Sequence, residues 1–428
     1  MKSLRTVVRV EDFRALLVSY AINRAGDVVG SFALAVVVLR ATGSGLATAG
    51  LFLCTQFVPG LIGPLLVAHV DRVAVGRLLP VVYVVEACFF GLLAAIVGHV
   101  GIAQIFVLGV ADAALAFVAR SVTRAAAASV LIPHDLMPEG KAAFNVALAA
   151  ATVAGPVLGG VAVETLGAPA ALIVDAASFL FAAALVARAR GLRVREPADA
   201  AAAAAPWSRL RESISYVAGN EALRMLLVGE GLAFVFFYLV VPVTVVYASR
   251  SLHAGSAGYA AILAAWGVGI AIGSAAHLRL GRRIGTGLVF VSTSAVAIGY
   301  LGTAAAPTLA VACAASVLGG LGNGTQWASV ETAVHQLVED RFRARVAAVL
   351  EALAAIAPGV GIALGGALTA AVSPRLAYLV AGLGLFVLVG VGIRRRGSLS
   401  RRARDPGLAW PDDDRDRALP AQAGGDLG

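Results

Sequence analysis

The sequence predicts an all-α integral membrane protein, with twelve transmembrane helices in two pseudo-symmetric six-helix bundles. Three observations carry this. Of 428 residues, 59% are hydrophobic and only 14% charged, with a mean hydropathy of +0.87, whereas soluble domains are about a quarter charged. The apolar residues gather in segments of about 20, the length that spans a hydrocarbon core. The cations alternate: of 34 Lys and Arg, Arg40, Arg250 and Arg375 fall in one set of alternating loops and Arg24 inside a span. The rest lie at the two ends of the chain, in the other loops or at the span ends beside them, which is the positive-inside asymmetry. Both termini are therefore expected in the cytoplasm, with an even number of spans. The net charge of +9 then belongs to the inner membrane face and not to a nucleic-acid surface.

Taken in order, MKSLRTVVRVEDFR is a basic amphipathic lead-in expected at the inner surface. Spans follow at about 13–39, 46–69, 78–98, 102–122, 143–165 and 168–188. The first is too long for a signal peptide and lacks a small-residue cleavage site, so it is expected to remain as a helix. Residues 1–190 thus form an N-terminal bundle, and 191–221 a charged cytoplasmic linker with an Ala-rich piece around Ala200–Ala205, partly helical from Trp207. Spans resume at about 223–247, 257–276, 285–304, 308–330, 346–371 and 375–393, giving a C-terminal bundle over 222–395. Residues 396–428, with Arg runs, Asp412–Asp414 and Gly/Pro, read as a disordered cytoplasmic tail. Cys54, Cys88 and Cys313 all lie in apolar segments, so neither a disulfide framework nor a metal cluster is indicated.

Charge inside the first span is the strongest functional pointer. YAINRAGDVVGSFALAVVVL carries Asn23, Arg24 and Asp27 at mid-depth. Ionisable groups there are costly and mark transport or proton paths by default. Arg24 and Asp27 are three apart, hence neighbours on one helix face. An internal ion pair that orients the helix is the other reading. Glu86 and Asp112 fall near the middles of the third and fourth spans. A carboxylate kept from water favours its neutral form, so either could load and release a proton. Asp175 reads as structural, capping or bonding a neighbouring helix, and Glu230 as facing the cavity from the opposite half. Glu331 and His335 read as surface partners of Arg341–Arg345.

The halves look duplicated. One shift lays Gly159-Gly160 on Gly365-Gly366, Asp71 on His277, Arg77 on Arg283 and Glu230 over Arg24, with some slippage between these places. Repeats with a site near the midplane where they meet are a secondary-transporter pattern.

VDRVAVGR (Val70–Arg77) lies in the first cytoplasmic loop of the N-terminal half. It resembles the loop motif of the major facilitator superfamily through Asp71-Arg72 and Gly76-Arg77. Val67 replaces the leading Gly, and the second Gly comes two residues late. The resemblance implies a cytoplasmic latch made by Asp71, Arg72 and Arg77, with Arg120 or Arg124 as partner. TVAGPVLGG (Thr152–Gly160) resembles the Gly-Pro…Gly-Gly motif in the fifth helix of the drug–proton antiporter branch. Gly155, Gly159 and Gly160 let helices touch and Pro156 bends the span, as a gating helix requires. GVGIALGG, after Pro358, echoes it in the other half. More broadly, about residues 10–395 resemble bacterial siderophore exporters and macrolide-efflux-like proteins. The stretches that carry this are FRALLVSYAINRAGDVVGSFALAVVVLRATGS, DAASFLFAAALVARAR and GLGNGTQWASVETAVHQLVEDRFRARVAAVLEAL.

Substrate-contact candidates are Phe234, Phe236, Phe237 and Tyr238 in the seventh span, Asn323, Gln326 and Trp327 in the tenth, and Gln56 and Trp266. Aromatic rings with a few amides line ligand cavities, although rings in spans also face lipid or the interface belt. The expected function is secondary export of an amphipathic small organic molecule (drug, siderophore or secondary metabolite) by proton antiport with alternating access. An uncoupled facilitator or a lysophospholipid flippase on the same fold is the alternative. No cofactor is expected beyond the proton gradient, and the partners are substrate, protons and the bilayer. The resemblance implies a monomer in a bacterial inner membrane. The chain contains neither HExxH nor a Walker lysine loop, and Asp27 and Asp112 lie in RAGD and GVAD, outside a GxGD pattern, which argues against an enzyme.

Overall fold

The computed structural model describes residues 4–402 apart from 61, 63–65, 68–74, 98–100, 190–191, 193–214, 216, 285–286 and 339. Among these residues every regular element is helical. After a one-turn helix at Leu4–Val7, twelve helical segments follow. They are α1 (Glu11–Thr42), α2 (Gly45–Phe52, continued by a π turn, Leu53–Phe57), α3 (Val75–Ile96), α4 (Ile102–Leu131), α5 (Met137–Thr165) and α6 (Ala168–Arg188). The second six are α7 (Glu221–Leu239, continued by Val241–Val246 and a π turn, Tyr247–Ser251), α8 (Gly255–Ile284), α9 (Gly287–Ala305), α10 (Leu309–Leu337), α11 (Asp340–Ala371) and α12 (Pro374–Arg402).

Each expected span coincides with a helix. Among the described residues nine helices are long and apolar enough to cross a membrane, and Gly45–Gly60 and Ile356–Ala371 are shorter apolar helices. The segment α10 stands outside both sets, because its middle, GGLGNGTQW, gives up hydropathy for close packing. Its glycines meet α8 at backbone distance: a Cβ on Gly320 or Gly324 would collide with the carbonyls of Trp266 or Ile270. The last helix runs to Arg402, past the expected boundary at 395, because arginine is a good helix former and carries α12 onward. The expected latch residues Asp71 and Arg72, nearly all of the linker, and residues 403–428 lie outside the described residues.

Local chemistry sets the helix ends. Gly43 adopts φ 60°, the left-handed form that glycine tolerates, and its N–H donates to Leu39 O at 2.8 Å, closing α1. Ser44 then caps α2, its Oγ accepting from Ala47 N at 3.2 Å. Asn220 caps α7 in the same way, accepting from Leu223 N at 3.0 Å. Within the spans, Thr244 and Thr303 donate to the carbonyls one turn earlier, at 2.8 and 2.9 Å. Hydroxyls find partners there that lipid cannot supply.

The packing repeats six helices on. In the first half α1 packs on α5 and α6, and α3 on α4 and α6; in the second, α7 packs on α11 and α12, and α9 on α10 and α12. The halves join through two equivalent crossings, α5 on α8 and α2 on α11. At the first, Gly160 lies so close to Ala260 that a Cβ would overlap; at the second, Gly366 stands in the same relation to Ala49. The match of Gly160 to Gly366 therefore has a structural counterpart. Their partners, Ala49 and Ala260, are out of register under that shift, which is where the repeat slips.

Candidate functional site

Buried charge in the first half comes from four helices. On α1, Arg24 Nη1 donates to Asp27 Oδ2 at 2.8 Å, and the two side chains are 23% and 13% exposed. Asn23, one residue earlier, is buried. The α3 helix adds Glu86, fully buried, and Tyr83, which lies against Thr123 and Ser19. The α4 helix adds Asp112, also buried, and Arg120. The α6 helix adds Asp175, fully buried. Glu86 lies in the field of Asp112, Asp27, Arg120 and Asp175, and Arg120 in that of Asp27, Arg24 and Glu86. Packing has thus gathered four carboxyls and two guanidinia that the sequence separates by up to about 150 residues.

Two features follow from that geometry. Asp175 lies against α1 where Gly26 and Gly30 leave a notch, and a Cβ on either glycine would collide with its carboxylate. Ser178 Oγ donates to Asp175 Oδ1 at 3.2 Å, which holds the carboxylate in place. It thus makes a helix-to-helix contact, within the field of Asp27. Several buried atoms also have no hydrogen-bond partner among the described residues: both Glu86 oxygens, Asp112 Oδ1, Asp175 Oδ2, Asn23 Oδ1 and Arg24 Nε. An unpaired buried oxygen is costly, so such a group is poised to take up a donor.

The second half holds a different site. On α7, Glu230 is buried, and its Oε2 accepts from Gln326 Nε2 of α10 at 2.6 Å. One turn on, the Phe234 ring lies 5.7 Å from that of Trp327, which is 47% exposed. Other rings offered as substrate contacts take part in packing. Phe236 fills the space beside Gly384 of α12, and Trp266 stacks on Tyr300 with centroids 5.3 Å apart. Tyr238 abuts Gly361 of α11, Asn323 is half-buried, and Gln56 is exposed in the α2 π turn. Arg77 and Arg124 are exposed on α3 and α4. Gly155 takes Val28 of α1, and Gly159 takes Phe32, so the glycines of α5 seat α1 as well as α8.

Sequence reasoning missed a polar seal between the halves at one end of the molecule. Arg40 of α1 lies 3.5 Å from Glu164 of α5 and donates to Ser256 of α8 at 3.0 Å, while Ser256 donates to Glu164. Arg250 donates to Gly43 O across the same boundary. Beneath them Phe32 and Tyr259 stack at 4.6 Å. Exposed ion pairs contribute at most about 1 kcal/mol, so the buried rings and the glycine crossings carry this contact between the halves and the charges set its register. Arg40 and Arg250 were visible as outlying cations in sparsely basic loops; nothing in the sequence paired them.

Comparison with known proteins agrees with this architecture. The Major Facilitator Superfamily model matches residues 226–412, and no curated protein matches the chain. A bacterial homologue of the iron transporter ferroportin, in an inward-facing state, superposes with a TM-score of 0.70 at 16% identity, over 91% of this chain and 98% of that one. The nucleoside transporter NupG gives 0.68 at 11% identity, over 90% and 98%. The peptide transporter POT in complex with alafosfalin gives 0.68 at 13%, over 94% and 99%. At these identities the likeness is one of fold. The chain therefore has the major facilitator fold over nearly its whole length, and its second half matches that family's model.

Proposed function

We propose that this protein is a proton-coupled secondary exporter of an amphipathic small organic molecule, such as a drug, siderophore or secondary metabolite. One observation carries the reading: the buried group of Asp27, Glu86, Asp112 and Asp175 around Arg24 and Arg120. Fully ionised, it holds four negative charges against two positive ones in a medium that screens poorly. Protons are the cargo that balances it, and their gain or loss changes how α1, α3, α4 and α6 attract one another. A ligand shifts a conformational equilibrium only through unequal affinity for the two states, and a charge group whose members sit on four helices supplies that inequality.

In this reading the sealed end, with Arg40 and Arg250, faces outward, since these are the cations outside the inner set. Both termini are then cytoplasmic in a bacterial inner membrane, and the chain works as a monomer. The opposite state would open α5 from α8 and α2 from α11 and close the other end through the latch of Asp71, Arg72 and Arg77 with Arg124. Gly155, Pro156, Gly159 and Gly160 place the bend of α5 at the moving contact. The experiment is transport in proteoliposomes with an imposed pH gradient. Gradient-driven efflux that falls about tenfold or more in Glu86→Gln and Asp112→Asn, with substrate binding retained, supports antiport. Transport indifferent to the gradient in the unmodified protein and both variants makes it a facilitator or a lipid flippase, which labelled lysophospholipid distinguishes.

A further inference from the structure

We infer that Glu230 and Gln326, with Phe234 and Trp327, form a subsite for a protonated amine joined to an apolar body. The inference deepens the transport reading by naming the group the substrate would present to the second half, and it rests on that reading only for its biological use. Glu230 Oε2 takes one hydrogen bond, from Gln326 Nε2 at 2.6 Å. Glu230 Oε1 and Gln326 Oε1 are both buried and have no donor among the described residues. Two acceptors on facing helices, α7 and α10, therefore wait for donors in one place. No ion pair to Glu230 occurs among the described residues, unlike Asp27, which has Arg24 beside it.

The chemistry that meets these demands is narrow. A neutral alcohol brings one donor and no charge. A hard metal ion asks for about six oxygen ligands, far more than this pair supplies. An alkylammonium brings three N–H donors and the missing positive charge. The rings one helical turn along α7 and one residue along α10, Phe234 and Trp327 with centroids 5.7 Å apart, then offer a surface for the hydrocarbon.

The test is equilibrium binding to the purified full-length protein, read by calorimetry and tryptophan fluorescence, with phenylbutylamine against phenylbutanol at neutral pH. The amine is expected to bind about tenfold or more tightly than the alcohol. Glu230→Gln, which keeps size and shape, is expected to erase that preference by lowering amine affinity to that of the alcohol. Trp327→Leu, at an exposed position, is expected to weaken both probes several-fold. Equal affinity of amine and alcohol in the unmodified protein would overturn the inference without recourse to any variant, and so would undiminished amine preference in Glu230→Gln. Binding needs no pH gradient, so failure of antiport with amine preference intact removes the coupling and leaves the subsite. Loss of preference with antiport intact does the reverse.

Discussion

In the first half, Arg24, Asp27, Glu86, Asp112, Arg120 and Asp175 lie within one another's fields, drawn from α1, α3, α4 and α6. In the second half, Glu230 faces a neutral amide, Gln326, with two rings beside it. The helix packing of the two halves repeats; the chemistry within it does not. Charges that share a field are energetically coupled, so the arrangement of the first half depends on how its four helices sit against one another. The carboxylate of the second half instead meets a neutral amide, with an aromatic pair one turn along the helix. Under the proposed function, one half of a repeated scaffold would serve charge and the other recognition.

That contrast is open to attack at several places, and the largest effect belongs to the first half. Arg24→Ala removes the partner of Asp27, and loss of one member of a buried pair costs about 3–5 kcal/mol. At 13–23% exposure the lower end is expected, read as a fall in melting temperature in detergent. The double variant Arg24→Ala/Asp27→Ala should recover most of that loss; if it melts as low as the single variant, the pair is not the origin. Next, Gly30→Ala should cost about 1–3 kcal/mol by overpacking, since its Cβ meets Asp175 and Phe90. Gly229→Ala, on the second-half helix α7 with open space beside it, should change the melting temperature little.

Glu86→Gln and Glu230→Gln sharpen the comparison in function. The first should reduce gradient-driven transport by about 1–3 kcal/mol of coupling and spare binding, while the second should weaken binding and spare the gradient response. Equal loss of both properties in both variants would merge the two sites into one. The smallest effect belongs to the seal. Arg40→Ala breaks an ion pair whose side chains are 59% and 43% exposed, so less than about 1 kcal/mol is expected. Gly160→Leu or Gly366→Leu, which force the crossings apart, should both increase labelling of cysteines placed near Ser256. If only one does, the two crossings are not equivalent.

Much of this was legible before any packing was known. Twelve apolar segments, the cation alternation and the six-plus-six division are local or nearly local properties, and each expected span coincides with a helix. Arg24 and Asp27 could be paired from their spacing because one helical turn fixes their distance. The tail expected after 395, read from its Arg runs, Asp412–Asp414 and Gly/Pro, begins within a helix that runs from Pro374 to Arg402. The Phe236 and Trp266 rings looked equally available for ligand in sequence. Glycines on other helices, Gly384 and Gly319, provide the recesses that take them up.

By itself, then, the sequence determined that the chain crosses a membrane repeatedly, in two related halves, with charge at depths where lipid tolerates none. Tertiary structure alone decided which of those charges share a field. It set Asp175 into the Gly26–Gly30 notch, brought Glu86 and Asp112 toward Asp27, left Glu230 to Gln326, and joined Arg40 to Glu164 and Ser256. The physical reason is range. Hydropathy and helical periodicity act over a few turns of one chain, whereas the energy of a buried charge depends on atoms a few ångströms away that belong to other helices.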